Sequence, residues 1–166
     1  MDENKNLKGS PGYDPRTLYI PAQAYANMTP FEKQYWDIKR NHFDTVIFFK
    51  KGMFYELFET DAEIGHRELD LKMTDRVNMR MVGLPAKHFT HWAAKLIALG
   101  YKVAKVEQLE TPLAMAKRQG VKGARDVKDV VLKRELTLIM TPATIVDESL
   151  LSTPQATYLL ALKVCS

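Results

Sequence analysis

The sequence has one cysteine, Cys165, one place from its last residue. Within the chain this excludes a disulfide framework and a thiolate zinc site. It favours a reducing compartment, cytosol or nucleus. Long apolar runs are missing, and none approaches the ~20 residues of a bilayer-spanning helix. The opening MDENKNLKGS is polar and carries both charge signs, without the apolar stretch of a signal peptide. The phosphate-loop patterns GxxxxGKS and GxxxxGKT do not occur, so no ATP hydrolysis is expected of this chain itself. A strong excess of one charge is also lacking. The 24 basic and 20 acidic residues leave a net +4, which permits a nucleic-acid partner without requiring one.

What is present suits one domain with a real core: 166 residues, 46% of them hydrophobic. Residues 1–28 read as an arm, partly flexible, with the turn chemistry of GSPGYDP and a short extended LYIP that could lie against a domain. A helix then starts at Thr29, with Pro30 in its first turn and Glu32 completing a capping box. Phe31, Tyr35 and Ile38 form its apolar stripe, with Trp36 beside it. DTVIFFK reads as a buried strand broken by Gly52, MFYELFE as a second strand, and TDAEIGHREL as a short helix. LDLKMT and MRMVG are expected to be strands around a loop at 75–78. HFTHWAAKLIAL is a helix with Phe89, Trp92, Ala93, Leu96 and Ile97 inward and Gly100 just past its end. YKVAKVEQ alternates as a strand, TPLAMAKRQG opens another helix, and VVLKRELTLIMTPAT is a long β-type run. The mixture predicts an α/β domain, a mixed β-sheet flanked by α-helices.

The segment KKGMFYELFE raises a chemical question. Side chains alternate along a strand, so Phe54, Glu56 and Phe58 share one face, while Tyr55 and Leu57 share the other and suit the core. Phe54 and Glu56 lie roughly 7 Å apart along the strand, close enough to engage one planar ligand. A ring can stack on a base, and a carboxylate can accept a hydrogen bond from a base edge. Lys50 and Lys51 stand just before them, where phosphates would be met.

These residues also carry a resemblance. GMFYELFETDA resembles the Phe-x-Glu motif of the MutS mismatch-recognition domain. MVGLPAKHFTHWAAKLIALGYKVAKVEQLETP resembles the stretch that follows the motif in that family, and VVLKRELTLIMTPATIVDESLL the segment that closes the domain. YDPRTLYIP and TPFEKQYWDIKRNHFDTVIFFK are most similar to the sixth eukaryotic branch of the family. The likeness runs in register over residues 13–152. It implies a MutS domain I fold over 29–152, with 153–166 beginning a truncated connector domain. It also implies a function: Phe54 enters the minor groove and stacks on a mispaired or unpaired base, while Glu56 hydrogen-bonds that base. Further implications are double-stranded DNA with mispairs or short unpaired loops as ligand, and a nuclear parent protein in mismatch repair. That parent is expected to carry an ATPase using ATP and Mg outside this chain. It is expected to pair as a heterodimer with the second eukaryotic MutS homologue. The pattern departs from the family at Met53, where lysine is common, and at Ala143, where TPGT is usual.

Beside the wedge the resemblance sets Arg76, Arg80 and Lys87 as backbone contacts, with Met79 or Met81 supporting the ring in the groove. The basic run Lys117, Arg118, Lys122, Arg125, Lys128, Lys133 and Arg134, opposed only by Asp126 and Asp129, could meet phosphates farther out. Two other classes stay open at this stage. Asp61 with Glu68, Asp70 and Lys72 could form a Mg-dependent restriction-type nuclease site. A protein-interaction module would bury Phe54 and not bind DNA. No metal site is expected from His66, His88 and His91, and no cofactor is expected for this fragment.

Overall fold

The computed structural model describes residues 1–76, 78–111, 114 and 131–143, with Arg76 placed by its backbone alone. The expected helix over 111–120, most of the basic run, Cys165 and the expected connector start lie outside these residues.

A six-stranded mixed sheet forms the centre, in the order β3-β4-β2-β1-β5-β6. Its strands are β1 Thr45–Lys51, β2 Phe54–Phe58, β3 Thr74–Arg76, β4 Met79–Pro85, β5 Lys102–Gln108 and β6 Arg134–Met140. Only β1 and β5 run parallel; the other neighbours are antiparallel. The α/β class expected from the sequence is therefore the one observed.

The period-2 pattern divides the sheet into two apolar faces. One carries Val46, Phe48, Tyr55, Leu57, Val82, Leu84 and Val103 against α3 (Thr60–Leu69) and α4 (Phe89–Ala98). The other carries Ile47, Phe49, Phe58, Ala104 and Val106 against α2 (Pro30–Lys39). Because both faces are covered, β1 reads as a continuous apolar run rather than an alternating one.

The helix ends follow their sequence signals. The Thr29 hydroxyl accepts from the Glu32 amide, and the Glu32 carboxylate accepts from the Thr29 amide, so the capping box is complete with Pro30 at the first position. Gly100 has φ +91° just beyond α4, a backbone conformation that glycine adopts without Cβ strain.

Tyr35 and Lys39 of α2 reach under the sheet to Asp61 of α3. Lys39 Nζ lies 2.7 Å from Asp61 Oδ1, and Tyr35 and the Ile47 amide donate to Oδ2. The pairing of β1 with β2 stops at Phe49 and Glu56. Asp61 thus satisfies a β1 amide that β2 no longer reaches.

Two expectations shift. LDLKMT is not a strand: Asp70 ends α3 in a left-handed conformation, and Leu71 and Met73 pack as an extended link. The strand forms later, at Thr74–Arg76, over part of the expected loop, because its register is set by β4 through Thr74 with Met81. The arm is docked through its backbone, with Leu18 N–H donating to Arg40 and Phe43 N–H donating to Arg16. It holds a further short helix, α1 Ala22–Ala26.

Candidate nucleic-acid interface

β1 and β2 are joined by the two residues Gly52 and Met53, between the paired Lys51 and Phe54. Gly52 has φ +58° and Met53 is not in the positive region, the pattern of a type II′ hairpin with glycine first. So tight a turn leaves its second residue and the strand opening uncovered. Met53 is 80% exposed and Phe54 is 49% exposed. On the same face Glu56 is only 5% exposed and Phe58 is sealed in the core. One strand face thus runs from solvent to interior within five residues.

The register supplies the neighbours. Phe54 stands between Lys51 and Pro85, and Glu56 between Phe49 and Gly83. No atom lies within 4 Å of where a Cβ on Gly83 would be. A notch therefore opens at Gly83, on the strand face that carries Glu56. Lys51 Nζ lies 3.5 Å from Glu56 Oε2 and 5.3 Å from the Phe31 ring centre. Ala86 N–H donates to the Met53 carbonyl, which brings the short 3₁₀ turn Ala86–His88, with exposed Lys87, against the hairpin.

The remaining expected residues divide by face. Lys50 lies opposite Tyr55, with its ammonium 4.6 Å from that ring's centre, on the other side of the sheet from Phe54. Met81 shares the Phe54 face but pairs with Phe58, deeper in, and packs on the α2 core. Met79 is buried in that core. Arg76 ends β3 opposite Met79.

Arg80 does not join the group. It points to the α3 side, 2.5 Å from Glu63 and 3.4 Å from Glu59. Those carboxylates, Glu63 first, hold its guanidinium above its ordinary value. The carboxylates of the nuclease alternative do not converge either. Asp61 is buried with Lys39, while Glu68 accepts from Arg67 and from the Tyr101 hydroxyl. Among the described residues no group of three or more His, Cys, Asp and Glu could hold a metal ion. A module that buries Phe54 is contradicted by the exposure of the ring.

Arg134 is the residue that sequence reasoning misplaced. Read as part of a basic run that could meet phosphates farther out, it is 7% exposed. Its guanidinium lies 5.3 Å from the Phe31 ring centre and 5.1 Å from that of Phe49. Burial pushes its pKa below the ordinary value, and the Glu56 carboxylate opposes that shift. The alternation at the start of β6 could have separated it from the run: Arg134 and Leu136 fall together on the α2 face, before the register shifts.

Residues 29–149 match the family model described as MutS domain I. The chain belongs to this family. The chain is 46% identical over 164 residues to the DNA mismatch repair protein MSH6 of Saccharomyces cerevisiae, covering 98% of this chain and 13% of that protein. It is 38% identical over 165 residues to the human Msh6 protein, covering 98% of this chain and 12% of that one. The MutS protein of Dehalococcoides mccartyi strain 195 is 38% identical over 141 residues, 82% of this chain and 15% of that protein. The chain thus spans only about an eighth of the length of the curated relatives it matches.

Proposed function

We propose that this domain recognises mispaired or unpaired bases in duplex DNA, as part of a longer mismatch-repair protein. The observation that carries the reading is the half-exposed Phe54 at a hairpin tip, with Glu56 behind it on the same strand face. Phe54 enters the minor groove and stacks on the aberrant base, and Glu56 accepts a hydrogen bond from it. Base stacking on an aromatic ring is worth about 1–3 kcal/mol. Unstacking a base step costs a few kcal/mol, least where pairing is already defective. The terms are of similar size, so a small saving at a mismatch decides binding.

Lys51 and Lys87 flank the tip and meet phosphates there. Lys50 and Arg76 would make more peripheral contacts, and Met81 supports the base of the wedge. Glu56 acts as a discriminator, because a carboxylate near phosphates disfavours any duplex that cannot offer it a donor. The similarity to DNA mismatch repair proteins supports repair as the setting. By the same likeness the parent is nuclear, pairs with the second eukaryotic MutS homologue, and carries its ATP and Mg site outside this chain.

The test is Phe54→Ala in the full-length heterodimer, with binding to a G·T duplex and its matched control measured by fluorescence anisotropy. The preference for G·T should collapse. An unchanged ratio overturns the wedge. Glu56→Ala should raise matched binding relative to mismatched; an equal loss on both duplexes rejects the discriminator role.

A further inference from the structure

The parallel ladder between β1 and β5 ends at the Phe49 and Val106 pair. The hairpin that presents Phe54 continues beyond it, where backbone pairing to β5 no longer holds it. Two side chains take over. Gln108 Oε1 accepts from the Gly52 amide at 2.6 Å, and Arg134 Nε donates to the Lys50 carbonyl at 2.6 Å. Gln108 and Arg134 are register partners across β5 and β6. They grip the hairpin at two points, the end of β1 and the turn, separated by a single residue.

Arg134 is itself fixed. Its Nη1 donates to Gln34 Oε1 and to the Leu132 carbonyl, each at 3.0 Å, and its Cζ lies over the rings of Phe31 and Phe49. The planar guanidinium thereby ties the hairpin to α2 and to the start of β6. Lysine, a single point charge, could not reproduce this fork.

We propose that Gln108 and Arg134 form a positioning clamp that sets the height and stiffness of the Phe54 wedge, and so determines mismatch selectivity without touching the base. This rests on the reading of Phe54 as the stacking group. A ring on a yielding hairpin would recoil from a matched duplex instead of levering it apart. The energetic difference between matched and mismatched DNA would then shrink, while phosphate contacts kept general affinity.

The test uses the full-length protein with its partner subunit. Gln108→Met keeps the side-chain length and removes the acceptor, and Gln108→Glu keeps an acceptor for the Gly52 amide. The readouts are the matched-to-G·T ratio of Kd and the fluorescence of a 2-aminopurine beside the mismatch at saturating protein. Gln108→Met should lower the ratio about threefold to tenfold, the range for one lost hydrogen bond, and reduce the 2-aminopurine signal. Gln108→Glu should restore both. Loss of fold stability alone would not dim the probe at saturation. Because Arg134 is buried and Arg134→Met could misfold, the half-buried Gln108 carries the test. A wild-type ratio and probe signal in Gln108→Met, beside a collapsed ratio in Phe54→Ala, overturns the clamp and leaves the wedge standing. Failure of Gln108→Glu to rescue also overturns it. An unchanged ratio in Phe54→Ala removes the wedge, and the clamp with it.

Discussion

Lys51 Nζ sits 3.5 Å from the Glu56 carboxylate, and the two residues lie on neighbouring strands of the same face. Lys51 is also the cross-strand partner of Phe54. One cation is thus adjacent to both the exposed ring and the buried acid. With Arg134 behind, the acid is held in a positive setting although the ligand proposed for it is a polyanion. That keeps Glu56 tolerable in a nearly closed site.

Replacing Lys51 by Met should therefore cost more than a surface charge normally does. Glu56 would lose its near cation while still buried. The loss should be about 1–2 kcal/mol of stability, between the values for exposed and fully buried pairs. Urea unfolding measures it. A loss within error would mean that Arg134 alone suffices for Glu56.

Gly83→Val should separate binding from folding. The position is in β4, faces open space, and has no positive φ. Valine should stabilise the strand by roughly 0.5–1 kcal/mol. It should also fill the notch beside Glu56 and reduce mismatch preference. Thermal unfolding and anisotropy on the same variant check both parts; intact preference would show that the notch is not used.

Lys39→Met should be the most damaging of these changes. Both partners of the Lys39 and Asp61 pair are almost fully buried, and stranding one charge costs about 3–5 kcal/mol. Burial already pushes the Asp61 carboxyl above its ordinary 3.8 in spite of Lys39. Without the lysine it rises further. The folded state then holds a proton that the unfolded chain releases, so stability of the variant should fall as pH rises from 3.8 and recover as pH is lowered. Urea midpoints across that range check the sign.

The arm should report on acid. Hydrogen bonds from Arg16 hold the Asp14 carboxyl at about 2, against an ordinary 3.8. The acid is depressed in the fold, so its contribution is complete above pH 3.8 and is lost as pH falls from there through 2. Carboxyl NMR titration should give the low value, and Arg16→Gln should return it towards 3.8. An unshifted Asp14 would mean that the pair with Arg16 does not persist in solution.

Local chemistry was legible wherever neighbours in sequence decide it. The Thr29 and Glu32 box, the bounds of α3 and the inward face of α4 all follow from contacts within one or two turns. Strand β3 was not legible, because three residues of modest propensity become a strand only when β4 lies alongside. Arg80 was assigned by its place in a loop, yet the pleat turns it towards Glu59 and Glu63. Arg134 was averaged into a charge run, and only the register with Gln108 draws it under the hairpin.

By itself the sequence determined the alternation that puts Phe54 and Glu56 on one face, and the glycine that lets the chain reverse before them. Both are properties of a few adjacent residues and of the period of an extended chain. The tertiary structure alone decided that Arg134 and Gln108 serve that hairpin. They reach it from strands up to 84 residues away, and such distances close only when the whole sheet assembles.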